Sequence, residues 1–112
     1  MSASDPVQEQ LDAYNARDLD RFLRCYASNV AVRSGEGRVL LEGLEAMGRR
    51  YGDMFARDAS LNAVVTGRFR AGGWTVDEEH VTIDGIERHV LVGYRVVGRL
   101  IRDVVMMRSD EF

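Results

Sequence analysis

The chain has 112 residues, 46% of them hydrophobic and 29% charged, with 15 Lys and Arg against 18 Asp and Glu for a formal net charge of −3. Those values describe one ordinary soluble domain over residues 1–112, built round one core, and exclude disordered, collagen-like and repeat chains. Scattered basic residues leave no patch for a nucleic-acid backbone, and no apolar run of about 18 residues offers a membrane span. The opening Met-Ser-Ala-Ser-Asp-Pro lacks the features of a signal peptide, and the single cysteine, Cys25, has no partner for an internal disulfide. A reducing, cytoplasmic setting is therefore expected.

In chain order, Asp5 before Pro6, with Gln8 three residues after Asp5, predicts a helix start with a side-chain cap, a first-turn proline and a capping-box partner. Val7, Leu11 and Tyr14 form its apolar stripe. After a break at Arg17 and Asp18, Leu19, Phe22, Leu23 and Tyr26 repeat helical spacing. Residues 30–33 and 39–41, joined by Ser34-Gly35-Glu36-Gly37, read as a small hairpin. Gly43 precedes a third helix with the stripe Leu44, Met47, Tyr51, Met54 and Phe55.

From Leu61 onward, Val, Ile, Thr and aromatic residues separated by turn signals predict a four-stranded antiparallel meander, with turns at Ala71-Gly72, Asp84-Gly85 and Val97-Gly98. Counting outward from these turns puts Arg68, Asp77, Glu79, Arg88 and Asp103 on one face, among Asn62, Val64, Val92, Tyr94, Val105 and Met107. The opposite face receives Leu61, Val65, Trp74, Val76, Leu91, Val104 and Met106. In this register Val92 lies between Asp77 and Asp103, Arg68 is diagonal to Asp77, and Arg88 is diagonal to Glu79. The apolar residues of the second face need a cover, and the simplest is a second copy of the sheet, which predicts a homodimer.

Three helices, a hairpin and a long curved meander, together with Tyr14-Asn15-Ala16-Arg17-Asp18-Leu19-Asp20, Tyr26-Ala27-Ser28-Asn29-Val30, Gly43-Leu44-Glu45-Ala46-Met47 and Gly98-Arg99-Leu100-Ile101, resemble the NTF2-like proteins. The stretch from Arg68-Phe69 to Gly73-Trp74-Thr75-Val76-Asp77-Glu78-Glu79 resembles their short SnoaL-like, steroid isomerase-related group. The resemblance runs over residues 7–108 and implies an α+β cone, in which three N-terminal helices pack on a strongly curved antiparallel sheet and enclose a pocket. On such a cone the second face is the convex one, so the expected homodimer forms through the convex sheet face. The superfamily includes ketosteroid isomerases, polyketide cyclases, dehydratases, epoxide hydrolases and noncatalytic binding modules, so the fold does not choose among them. Positions that hold the isomerase general base and two oxyanion donors correspond here to Ser34, Gln10 and Val92, and only the supporting tyrosine persists, as Tyr51. A serine cannot take a carbon-bound proton at neutral pH, and a valine donates no hydrogen bond, so the isomerase mechanism is not expected.

The inner-face charges then carry the candidate chemistry. Asp77, Glu79 or Asp103 would serve as a general acid or base if its pKa is raised by desolvation or a neighbouring carboxylate, with Arg68 orienting an anionic or carbonyl-bearing ligand; the ligand expected is small and apolar or carbonyl-bearing. Tyr14, Tyr51, Met54, Arg68, Arg88, Val92 and Tyr94 would line the pocket. The rival reading is a noncatalytic binding or association module whose inner charges form a structural salt-bridge network. His80 and His89 fall opposite each other on the outer face, near Glu78 and Glu87, but two imidazoles without a third well-placed ligand make a poor metal site. Cys25 reads as core packing. Gly35-Glu36-Gly37 and Ala71-Gly72-Gly73 match no phosphate-loop spacing, and no cofactor is expected.

Overall fold

The caps written into the sequence set the helices. In the computed structural model, which describes residues 5–109, Asp5 caps α1 (Pro6–Ala16) by accepting from the Val7 amide at 3.1 Å, and Pro6 takes the first turn. Gln8 does not close a capping box. Its amide donates to Asp12 and its carbonyl accepts from Arg68. Arg17 ends α1 at φ 54°, and Asp18 caps α2 (Leu19–Leu23), so the turn between the two helices is built from the two residues expected to break them. Tyr26 belongs to no helix: it opens β1 (Tyr26–Ser34), where strand alternation keeps its ring buried. A tight turn leads to β2 (Val39–Glu42), and Gly43 at φ 87° turns the chain into α3 (Leu44–Arg57).

The meander follows as β3 (Asn62–Ala71), β4 (Trp74–Ile83), β5 (Ile86–Val97) and β6 (Leu100–Ser109). All six strands join one sheet in the order β2-β1-β6-β5-β4-β3. The sheet is mixed rather than antiparallel, because β1 lies parallel to β6. No short turn links those two strands, so turn chemistry carries no signal for their pairing.

Only the Asp84-Gly85 turn falls where expected. The other two are one residue later, at Gly72-Gly73 and Gly98-Arg99, as the pairs Ala71↔Trp74 and Val97↔Leu100 show. Arg68 is consequently directly opposite Asp77 rather than diagonal to it. Three irregularities then interrupt these ladders, at Thr66, Arg102 and Met107. One at Thr66 turns Leu61, Ala63 and Val65 toward the core and leaves Asn62 and Val64 outside, and one at Arg102 turns Val104 and Met106 inward and Asp103, Val105 and Met107 outward. Asp103 therefore pairs with Arg95, and Val92 with Met106.

The core is the contact of the three helices with the concave sheet face. Tyr14, Phe22, Tyr51 and Phe55 pack mutually with ring centroids 4.8–6.4 Å apart, and Phe22 meets Tyr26 at 5.0 Å. Cys25 is buried beside them, and burial pushes its thiol up to about 11, as suits a packing residue. Among the described residues no helix is long and apolar enough to cross a membrane.

Candidate functional site

The helices do not fill the concave face. A cavity of about 220 Å³ remains, walled by rings and aliphatic chains such as Phe22, Tyr26, Met47, Tyr51, Val92 and Val104. Its exposed lining residues, Leu40 of β2, Arg50 of α3 and Met106 of β6, together with half-buried Arg88 of β5, mark the mouth. Tyr14, Met54 and Tyr94 also line it, and with Tyr51, Arg88 and Val92 they come together round one cavity.

Glu79 is the one carboxylate in this lining among the described residues. β4 runs without a bulge after the Asp77–Val92 pair, so Thr75, Asp77, Glu79 and Val81 alternate inward as the pattern requires. Glu79 is 5% exposed and forms no ion pair among the described residues. Its carboxylate accepts one hydrogen bond, from the Tyr94 hydroxyl at 3.3 Å, which is long for a hydroxyl donor. Burial first and the charge of Asp77 second push the Glu79 carboxyl up to about 7, against the weaker opposing pull of Tyr94 and Arg68. A carboxyl raised toward neutral pH can both give and take a proton there.

The phenols around it divide into two kinds. Tyr26 donates to the Gln10 carbonyl at 3.0 Å, and the Gln10 amide donates to the Val7 carbonyl at 3.0 Å, so both are committed to the structure. Among the described residues Tyr14 and Tyr51 make no hydrogen bond through their hydroxyls, yet neither oxygen is sealed off, and both residues line the cavity. Burial raises both phenols above their ordinary range, which keeps them protonated donors.

The other expected carboxylates lie elsewhere. Asp77, with no exposed surface, receives two bonds from Arg68 at 2.7 and 2.9 Å, and the same guanidinium donates to Gln8 at 2.8 Å. Neither Arg68 nor Asp77 is among the residues that line the cavity. Removing one partner of such a buried pair costs about 3–5 kcal/mol. Asp103 faces out, bonded to Arg33 at 3.0 Å and Arg95 at 2.7 Å, because the bulge at Arg102 reversed its side. Ser34 is absent from the lining, and its hydroxyl accepts from the Arg38 amide.

His80 and His89 stack on the outer face with centroids 4.7 Å apart, and His89 Nε2 lies 2.7 Å from Glu78. Among the described residues no group of three His, Cys, Asp or Glu could hold a metal. Sequence reasoning missed Arg50 as a lining residue. Helical spacing makes Tyr26 read as core first and pocket lining second. Arg50 did carry a signal: Arg49 and Arg57 have Glu45 and Asp53 four residues before them, whereas Arg50 has Ala46.

Solved structures share this architecture at low identity. An uncharacterised cystatin-fold protein from Novosphingobium aromaticivorans is 24% identical over 96% of this chain and 100% of its own, with a TM-score of 0.86. An NTF2-like protein of unknown function from Cytophaga hutchinsonii is 17% identical over 94% and 91%, with a TM-score of 0.79. A protein with a ketosteroid isomerase-like fold from Catenulispora acidiphila, crystallised in complex with trimethylamine, is 15% identical over 93% and 85%, with a TM-score of 0.74. The fold is thus NTF2-like. No curated protein sequence matches the chain. The family model described as the SnoaL-like domain matches residues 7–104, and the chain belongs to that family.

Proposed function

We propose that the chain is a cofactor-independent acid/base enzyme that acts on a small, mostly apolar, carbonyl-bearing molecule, with Glu79 moving the proton. One observation carries the reading: a nearly buried carboxylate, unpaired by any cation among the described residues, stands in an otherwise aromatic and aliphatic cavity. A desolvated carboxylate near neutral pKa is suited to taking a proton from carbon and returning it elsewhere, a contribution of about 10²–10⁴ in rate. The free phenols of Tyr14 and Tyr51 supply neutral donors for an oxygen on which charge develops. At about 220 Å³ the cavity is below the usual range of about 300–1,000 Å³ for drug-sized ligands, which limits the substrate to a compact molecule.

The test is carbon-bound hydrogen exchange in D₂O with small cyclic ketones, followed by NMR. Wild-type protein should accelerate exchange with a pH midpoint near 7, and Glu79→Gln should lower the acceleration by at least about 100-fold. Ketones that bind the cavity without any accelerated exchange would overturn the catalytic reading and leave the noncatalytic binding module. We also propose that a second copy of the chain covers the outer sheet face, where Phe69, Val64 and Trp74 stand 73%, 51% and 36% exposed.

A further inference from the structure

The charges of the cavity are segregated along its depth. Glu79 lies across from Val90, whereas Arg88 lies across from Val81, one inward-facing position toward the mouth. At about 3.3 Å per residue and about 4.8 Å between strands, the two backbones are about 8 Å apart. The lining between them is apolar, with Val81 and Val90 on the sheet and Met54 on the facing helix. The mouth itself carries two guanidiniums, those of Arg50 and Arg88, and no carboxylate among the described residues.

Arg50 is the more informative of the two. α3 neutralises its neighbours on its own surface: Arg49 lies 3.7 Å from Glu45 and Arg57 lies 2.7 Å from Asp53. Arg50 has alanine at the equivalent position, forms no ion pair among the described residues, and is the α3 arginine that lines the cavity. An organic cation entering here would pass the like charge of Arg50. An organic anion could leave its charge at the rim, hydrated and beside a guanidinium, while its apolar body displaced water from the interior.

Resting on the pocket reading above, we propose that the ligand is a small organic carboxylate whose apolar body fills the cavity and whose carboxylate stays at the mouth on Arg50. Glu79 then faces the body of the molecule and not its charged end. The substrate class is thereby narrowed from carbonyl compounds in general to short monocarboxylates with an apolar or aromatic body.

The probes are 3-phenylpropanoate, its neutral amide and 3-phenylpropylammonium, titrated at pH 6 by two-dimensional amide NMR. At that pH Glu79 is mostly protonated and the probe acid is ionised, so repulsion between them is small. The acid should bind about fivefold more tightly than the amide, the size expected of one rim ion pair. Arg50→Gln, at an exposed position, should bring that ratio close to one, and 1 M NaCl should do the same to wild type. Amide binding as tight as acid binding, or tightest binding by the ammonium probe, would overturn the inference and leave the pocket reading intact. Failure of all three probes to move resonances of the cavity lining would instead remove the pocket reading itself.

Discussion

Glu79 makes the folded state pH-dependent in a direction opposite to that of a salt-bridged carboxylate. Its carboxyl moves from the ordinary 4.5 to about 7 on folding. Between those values the unfolded chain releases its proton first, so stability is fullest below about 4.5 and falls as pH rises through 7. At about 1.4 kcal/mol per pH unit, the loss attributable to this one residue is about 3 kcal/mol. Glu79→Gln removes the titrating group and keeps its shape. Urea denaturation of both proteins at pH 4 and pH 8 should show the variant gaining about 3 kcal/mol on wild type between the two. A pH-independent difference would mean that the carboxylate is solvated after all. Asp77, two residues away on the same strand, illustrates the contrast: fully buried yet held by a bidentate arginine, it belongs to the framework.

At the scale of elements, the free edge of β3 explains why the first helix break has the sequence it has. β3 ends the sheet, so its outer backbone groups lack a strand partner. Asn15 covers one residue of that edge completely, accepting from the Ala63 amide at 2.8 Å and donating to the Ala63 carbonyl at 2.9 Å. Arg17, turned back by its left-handed backbone, donates to the carbonyls of Asp58, Ala59 and Leu61. Asn15→Ala should cost about 2 kcal/mol in urea denaturation, two half-buried hydrogen bonds at about 1 kcal/mol each. An unchanged midpoint would show that water replaces the asparagine without loss. The elements best read from sequence are those with chemistry at both ends, such as α1 between Asp5 and Arg17, or β4 and β5 about Asp84-Gly85. The bulges at Thr66 and Arg102 left no such mark. One extra residue reverses every side chain beyond it, and so Asp103 was assigned inward and Val104 outward.

For the whole molecule, the concave and convex faces of the sheet pose different demands. The helices cover the first; the resemblance to NTF2-like proteins implies that cone, and counting from the turns puts Glu79 on its inner face. The long-range pairing of β1 with β6 was not legible, since neither strand marks its parallel partner. Four expected members of the convex face, Leu61, Val65, Val104 and Met106, face the other way, while Val64 and Met107 replace part of that apolar surface. If a second copy covers it, sedimentation at micromolar concentration should give twice the chain mass, and Phe69→Lys, at a position 73% exposed, should yield a folded monomer. A wild-type monomer under those conditions would refute the dimer.

The parallel seam also has a kinetic meaning. Each meander hairpin closes over a two-residue turn, but Arg33 of β1 reaches Asp103 of β6 across 70 residues of chain. Closing so long a loop costs about 2–3 kcal/mol more chain entropy than closing a tight turn. Asp103, bonded to Arg33 on one neighbouring strand and Arg95 on the other, spans that junction. The carboxylate that the bulge turned away from the cavity thus fastens the strand pair of highest sequence separation in the sheet, the kind of contact that slows folding.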